Sequence, residues 1–136
     1  MCSIKYPNPD AHCLCQSRIK YKECCQPFLE GSALPETPEK LMRSRYVAYN
    51  LGDFIYIGNT NSGDALVWFN ASSESDRQPL DGVRLDILNT TINGDSGTVE
   101  FKAYYQKNGR INYMHELSEF KRINDKWFYI KGTFLD

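Results

Sequence analysis

The sequence predicts an α+β chain: helices first, then an antiparallel meander of four strands, with a small metal-binding knuckle in front. Three observations carry this. Four of the five cysteines lie between Cys13 and Cys25, as Cys13-Leu14-Cys15 and Cys24-Cys25. A stretch of helical period with its own start and stop signals runs from Pro38 to Asn50. From Gly82 onward apolar residues recur at every second position between turn sequences.

Residues 1–12 are polar and carry two prolines, and read as a loose arm. The cysteine window follows. Four soft thiolates so close in sequence suit one tetrahedral Zn2+ with no open position, a structural rather than a catalytic site. The candidate ligands are Cys13, Cys15, Cys24 and Cys25. Cys2 and His12 are spare donors, Cys2 being read as a free thiol in the arm. The adjacent pair Cys24-Cys25 requires a tight turn. Gln26 to Ser32 leads into the proline-rich connection Leu34-Pro35-Glu36-Thr37-Pro38.

Thr37 before Pro38 is a helix start, since threonine caps with its side chain and proline at the first position forfeits no hydrogen bond. Leu41, Met42, Tyr46, Ala48 and Tyr49 give the helix a mixed apolar face, with Glu39, Lys40, Arg43 and Arg45 largely opposite. Gly52 is a stop, and Asp53 caps a second short helix containing Phe54, Ile55 and Ile57. Ala65 to Phe69 fits either a helix or an extended segment. Asn70 to Gly82 reads as a loop.

Beyond it, Val83, Leu85 and Ile87 alternate with Arg84 and Asp86, and Val99, Phe101, Ala103 and Tyr105 with Glu100, Lys102 and Tyr104. Met114, Glu116, Ser118 and Phe120 alternate with Tyr113, His115, Leu117 and Glu119. A last aromatic run spans Trp127 to Phe134. The separators hold Asn93-Gly94-Asp95, Asn108-Gly109 and Asn124-Asp125, and Asn-Gly is a strong hairpin signal.

Charge is nearly balanced, with 16 basic and 17 acidic residues and a net charge of −1. That argues against bulk electrostatic binding to nucleic acid, although Arg18, Lys20 and Lys22 form a local basic cluster. No apolar run is long enough to span a bilayer, and the first residues lack the apolar region of a signal peptide. A reducing, cytoplasmic setting is the resulting expectation, in which clustered cysteines bind metal rather than form disulfides.

Cys13-x-Cys15-x-Ser17-x3-Tyr21-x2-Cys24-Cys25 resembles the SEC-C motif, a zinc-binding element first recognised at the C-terminus of the SecA translocation ATPase. The glycines usual after the second cysteine and after the serine are replaced by Gln16 and Arg18. Leu41-Met42-Arg43-Ser44-Arg45-Tyr46-Val47-Ala48-Tyr49 is similar to the helix signature of YchJ-like bacterial proteins, a largely uncharacterised family. His115-Glu116-x-Ser118-x-Phe120 and Trp127-Phe128-Tyr129-Ile130-x-Gly132 resemble its last two strands, with Lys131 in place of an acidic residue. The resemblance implies an arm and SEC-C-like zinc knuckle over 1–32, then an NTF2-like domain over 33–136. In that domain a curved antiparallel sheet packs on the N-terminal helices.

Such a fold offers a concave mouth for a small ligand. Strand parity puts Glu116, Ser118 and Phe120 on one face and His115 on the other. The candidate pocket residues are Arg43, Tyr46, Tyr104, Glu116, Ser118 and Phe120, with Tyr49 and Tyr129 as further aromatic candidates. Glu116 is expected to pair with Arg43 or Arg45. No nucleophile–base pair, phosphate loop or catalytic metal set is legible.

Two functions fit. One is a zinc-binding adaptor or binding protein whose knuckle docks a protein partner and whose body is a scaffold or ligand pocket. By resemblance to the SecA element, that partner is a chaperone, a translocation component or a ribosome-associated protein. The other is a small-molecule enzyme with Glu116 as acid or base. A homodimer is expected by analogy with NTF2-like sheets.

Overall fold

A computed structural model describes residues 4–136. Its centre is the helix that begins at Thr37, whose Oγ1 accepts from the Lys40 amide at 3.1 Å, with Pro38 in the first turn. This helix, α2 (Pro38–Leu51), ends at Gly52 with φ 77°, the left-handed conformation that releases the chain toward a new direction. Asp53 then caps α3 (Phe54–Asn59), its Oδ1 accepting from the Tyr56 amide at 3.2 Å. The ambiguous apolar run is helical, as α4 (Gly63–Ala71). A short helix not expected from the sequence, α1 (Gln26–Glu30), precedes these and closes on Gly31.

Strands β1 (Gly82–Asn93), β2 (Ser96–Lys107), β3 (Arg110–Ile123) and β4 (Lys126–Leu135) form one antiparallel sheet in chain order. The turns are those the sequence marks. Asn108, Gly109, Asn124 and Asp125 all have positive φ, the twist that two-residue hairpins need. Register breaks in β1, and between Glu119 and Phe120 against β4, bend the sheet.

On the inner face of the sheet, Leu85, Val99, Phe101, Ala103, Phe120 and Trp127 pack on Leu41, Met42 and Tyr46 of α2. Trp127 Nε1 also donates to the Glu36 carbonyl at 3.1 Å, pinning β4 to the start of α2.

The other side of α2 is covered as well. Val47, fully buried, shares a second core with Cys13, Cys15, Tyr21 and Cys25, with Leu29 and Leu51 against it. Covered on both sides, α2 has little free face. Ser44 and Arg45 are therefore buried, and Arg45 does not stand on the polar side expected for it. The arm likewise differs from a loose segment. The Lys22 amide donates to Pro9 O at 3.0 Å, the Tyr21 amide to Ala11 O at 2.8 Å, and Tyr6 Oη to Asp53 Oδ2 at 3.3 Å. Cys2 lies outside the described residues.

Candidate functional site

The cysteine window folds back on itself before it meets the body. The Cys13 amide donates to Ile19 O at 2.8 Å and the Gln16 amide to Cys13 O at 3.1 Å. Gln16 and Arg18 both have positive φ, 65° and 68°. A 3-10 turn at Tyr21–Glu23 supplies the tight approach that adjacent cysteines require, and Cys25 then stands at the N-terminal boundary of α1.

The four Sγ atoms of Cys13, Cys15, Cys24 and Cys25 converge within 4.8 Å of one another. Cys15 and Cys24 are 3.5 Å apart and Cys24 and Cys25 3.8 Å. Sulfurs about 2.3 Å from a tetrahedral metal are about 3.8 Å apart, so the donor set fits such an ion. Among the described residues His12 is not part of this cluster.

The surroundings favour negative sulfur at Cys15 and Cys24. Ser17 Oγ lies 3.2 Å from Cys24 Sγ, and Arg43 Nη1 donates to Cys15 O at 2.7 Å while its Nε holds Glu39 at 3.0 Å. Cys15 and Cys24 are drawn below an ordinary thiol by the facing thiols, Cys13 first, with Cys24 falling to about 7. Cys13 is pushed up chiefly by Cys15, and Cys25 chiefly by Cys13. Four such groups ionise together only around a cation.

The second site is the concave face of the sheet, where a cavity of about 400 Å3 opens between α2 and the strands. Met42, Tyr46, Leu80, Phe101, Ala103, Met114 and Phe120 supply its apolar wall. Its polar end is built by β3 and β4. Glu116, 8% exposed, accepts from Ser118 Oγ and, at 3.1 Å, from Tyr129 Oη. Burial comes first among the causes that hold the Tyr129 phenol well above its usual range, with the Glu116 charge next.

Tyr129 is itself fixed through its backbone, which bonds to Thr60 O at 2.8 Å and to the Ser62 amide at 2.9 Å. Arg45, 5% exposed, lies over the Tyr129 ring at 4.4 Å and spends Nη1 on Thr60 Oγ1 at 2.6 Å and Ile57 O at 3.2 Å. Arg45, Tyr49 and Tyr129 also border an outer cleft lined by Asn61 and Trp68. Asn61 Oδ1 is buried there without a partner among the described residues.

Of the residues singled out in the sequence, the four cysteines converge, and Tyr46, Glu116, Ser118 and Phe120 line one cavity. Two others do not. Arg43 sits on the knuckle side of α2, committed to Glu39 and Cys15, so it cannot reach Glu116. Tyr104 alternates out of the inner face and packs on Tyr113, ring centroids 5.8 Å apart, with Arg84 over it.

Nor is Glu116 ion-paired with Arg45; two hydroxyls satisfy it instead. His115 takes the opposite face, bonding Glu100 Oε2 at 2.7 Å. Phe101, Ala103 and Met114 were not singled out for the cavity, although the same strand parity marks them.

Residues 37–132 match the model of the middle NTF2-like domain of YchJ. The chain belongs to the YchJ-like family. A UPF0225 protein of Shewanella sp. strain MR-4 is 38% identical over 132 residues, spanning 90% of this chain and 80% of the relative. RSc0270 of Ralstonia nicotianae, another UPF0225 protein, is 36% identical over 139 residues and 96% of both chains.

Among solved structures, RPA3114, a SEC-C motif containing protein from Rhodopseudomonas palustris, superposes with a TM-score of 0.82. It is 32% identical, over 93% of this chain and 100% of that one. A SEC-C motif containing protein from Psychrobacter arcticus gives 0.67 at 26% identity, over 95% and 80%. The family model covers the NTF2-like domain, and the two solved SEC-C motif proteins are similar over more than nine-tenths of this chain. Among the described residues no helix is long and apolar enough to cross a membrane.

Proposed function

We propose that this YchJ-like chain is a zinc-braced binding protein whose concave cavity takes a small, largely apolar molecule with a polar group at Glu116. The observation that carries this is the buried Glu116 carboxylate. It is held by two hydroxyls rather than a cation and set in the wall of a largely apolar cavity of about 400 Å3. Small-ligand sites have this make-up, a mostly apolar lining with a few convergent polar groups. Zinc is the metal that best suits four thiolates in a closed tetrahedron, and its part here is structural. Reduced thiols suit a cytoplasmic location.

A neutral, environment-sensitive naphthylamine dye tests the cavity. It should bind the zinc-loaded protein, and Ala103→Trp, which fills the cavity, should abolish the signal while the far-ultraviolet spectrum is kept. Equal binding by both proteins would sink the cavity reading. Native mass spectrometry of cell-derived protein then separates the roles. A ligand recovered intact makes the chain a binder, and a converted one makes Glu116 an acid or base.

The knuckle carries a second reading, as a docking surface for a protein partner such as a chaperone, translocation component or ribosome-associated protein. Leu14 and Ile19 are 42% and 47% exposed beside Arg18, Lys20 and Lys22. Replacing both apolar residues with serine leaves the four cysteines in place. Unchanged capture of partners by that variant would argue that the knuckle only braces the fold.

A further inference from the structure

Two buried opposite charges face the same cavity and do not meet. Glu116 and Arg45 are both more than nine-tenths buried, and both line the cavity wall. Among the described residues, neither has a counter-ion within salt-bridge distance. A buried charge without a counter-ion is costly, and an opposite charge close by is the usual remedy. Here Tyr129 stands between them. Its hydroxyl is 3.1 Å from Glu116, and its ring lies under the Arg45 guanidinium at 4.4 Å. Gly132, immediately beside Glu116 and the Tyr129 hydroxyl, leaves the room that this arrangement needs.

Resting on the cavity reading above, we infer that the ligand is a small zwitterion with an apolar side group, the chemistry of a free apolar α-amino acid. Its ammonium group meets Glu116, its carboxylate meets Arg45, and its side group fills the space lined by Met42, Leu80, Phe101 and Met114. Tyr129 separates the two protein charges, so a ligand that meets both must carry its own opposite charges a short distance apart, as an α-amino acid does. Arg45 Nη1 is engaged by Thr60 and Ile57, which leaves Nε and Nη2 of the guanidinium fork for a carboxylate. Such a ligand is neutral overall, as is the Glu116–Arg45 pair. On the Arg45 side, in the outer cleft, Asn61 Oδ1 is buried without a hydrogen-bond partner among the described residues.

Competition against the neutral dye tests this, using L-phenylalanine, 3-phenylpropionate (no ammonium) and phenethylamine (no carboxylate). Phenylalanine should displace the dye at a concentration at least about tenfold lower than either single-charge analogue, the factor that one buried charged hydrogen bond supplies. Glu116→Gln, a near-isosteric change, should erase the advantage over 3-phenylpropionate. If the dye binds but the three compounds compete equally, or a single-charge analogue competes best, the zwitterion inference is overturned while the cavity reading stands. If the dye does not bind, both fall. Should Glu116→Gln fail to fold, the three-compound comparison on the unaltered protein still decides the matter.

Discussion

Gly132 has no side chain where the Glu116 carboxylate lies: a Cβ there would collide with Glu116 Oε2 and with the Tyr129 hydroxyl. In the sheet, Gly132 pairs with Ser118 and Glu116 with Phe134, so the carboxylate crosses diagonally onto the glycine. Glycine in a strand interior weakens the strand and marks a close approach. Here the close approach is that of the group that builds the polar end of the cavity.

Gly132→Ala is therefore expected to lower stability by about 1–3 kcal/mol, the range for forcing an extra carbon into a packed site. The informative measurement is a double-mutant cycle by thermal or urea unfolding. In a Glu116→Ala background a large part of that cost should vanish, because one of the two colliding groups is gone and the Tyr129 hydroxyl loses the partner that holds it there. Strict additivity of the two changes would show that the glycine answers to something other than Glu116.

The knuckle and the body should unfold together. Val47 and Leu51 of α2 lie in or against the cysteine core, and Arg43 bonds to the Cys15 carbonyl. Stripping the metal removes the charge that holds four thiolates side by side, and Cys24→Ser removes one of its four ligands. One transition at a lower temperature is expected, monitored by both near-ultraviolet and far-ultraviolet circular dichroism. Two separate transitions, with the sheet melting at an unchanged temperature, would mean that the knuckle is an appendage.

Much of this architecture was legible because it is local. Cap residues, turn dipeptides, strand parity and cysteine spacing each concern neighbours in the chain, so Thr37, Asp53, Asn108-Gly109 and the four thiols could be read directly. The destinations of Arg43 and Arg45 could not. They are two positions apart on a helix covered on one side by residues before it and on the other by strands beyond residue 82. A helix covered on two sides has little solvent face for a charged residue to mark, so Arg43 and Arg45 become internal parts. Tyr104 is a different case: its parity was readable, and an aromatic side chain alone does not tell inner from outer face.

Arg18 and Gln16 occupy backbone positions with φ of 68° and 65°, which suit glycine better than any residue with a Cβ. These are the two places where SEC-C elements usually carry glycine. Arg18→Gly should raise stability by about 0.5–1 kcal/mol, the left-handed strain removed less the entropy of a freer unfolded chain. Gln16→Gly should gain less, because Gln16 Nε2 donates to the Val83 carbonyl at 3.2 Å and helps join knuckle to sheet. Urea midpoints of the zinc-loaded variants decide it. A loss of stability for Arg18→Gly would mean that the arginine side chain holds the loop by contacts that outweigh its backbone strain.

Five of the nine tyrosines should ionise late. Burial is the leading cause for Tyr21, Tyr46, Tyr56 and Tyr129 and carries Tyr56 to about 12, while Tyr6, half exposed, is also held up by the Asp53 charge that its hydroxyl bonds. An unfolded tyrosine gives up its proton near pH 10. Above that pH the folded chain binds more protons than the unfolded one, so stability falls as pH rises. The loss begins near pH 10 and continues through the folded-state values, with Tyr56's share spent past about 12. Below pH 10 these phenols leave stability independent of pH. Phenolate absorbance during an alkaline titration should rise in two stages, the second coinciding with unfolding. Tyr129→Phe should remove one tyrosine from the second stage and leave the first unchanged, since the Tyr129 hydroxyl keeps its proton and donates it in a hydrogen bond to Glu116 for as long as the sheet is intact. A single stage near pH 10, with the fold retained, would contradict the burial of these hydroxyls.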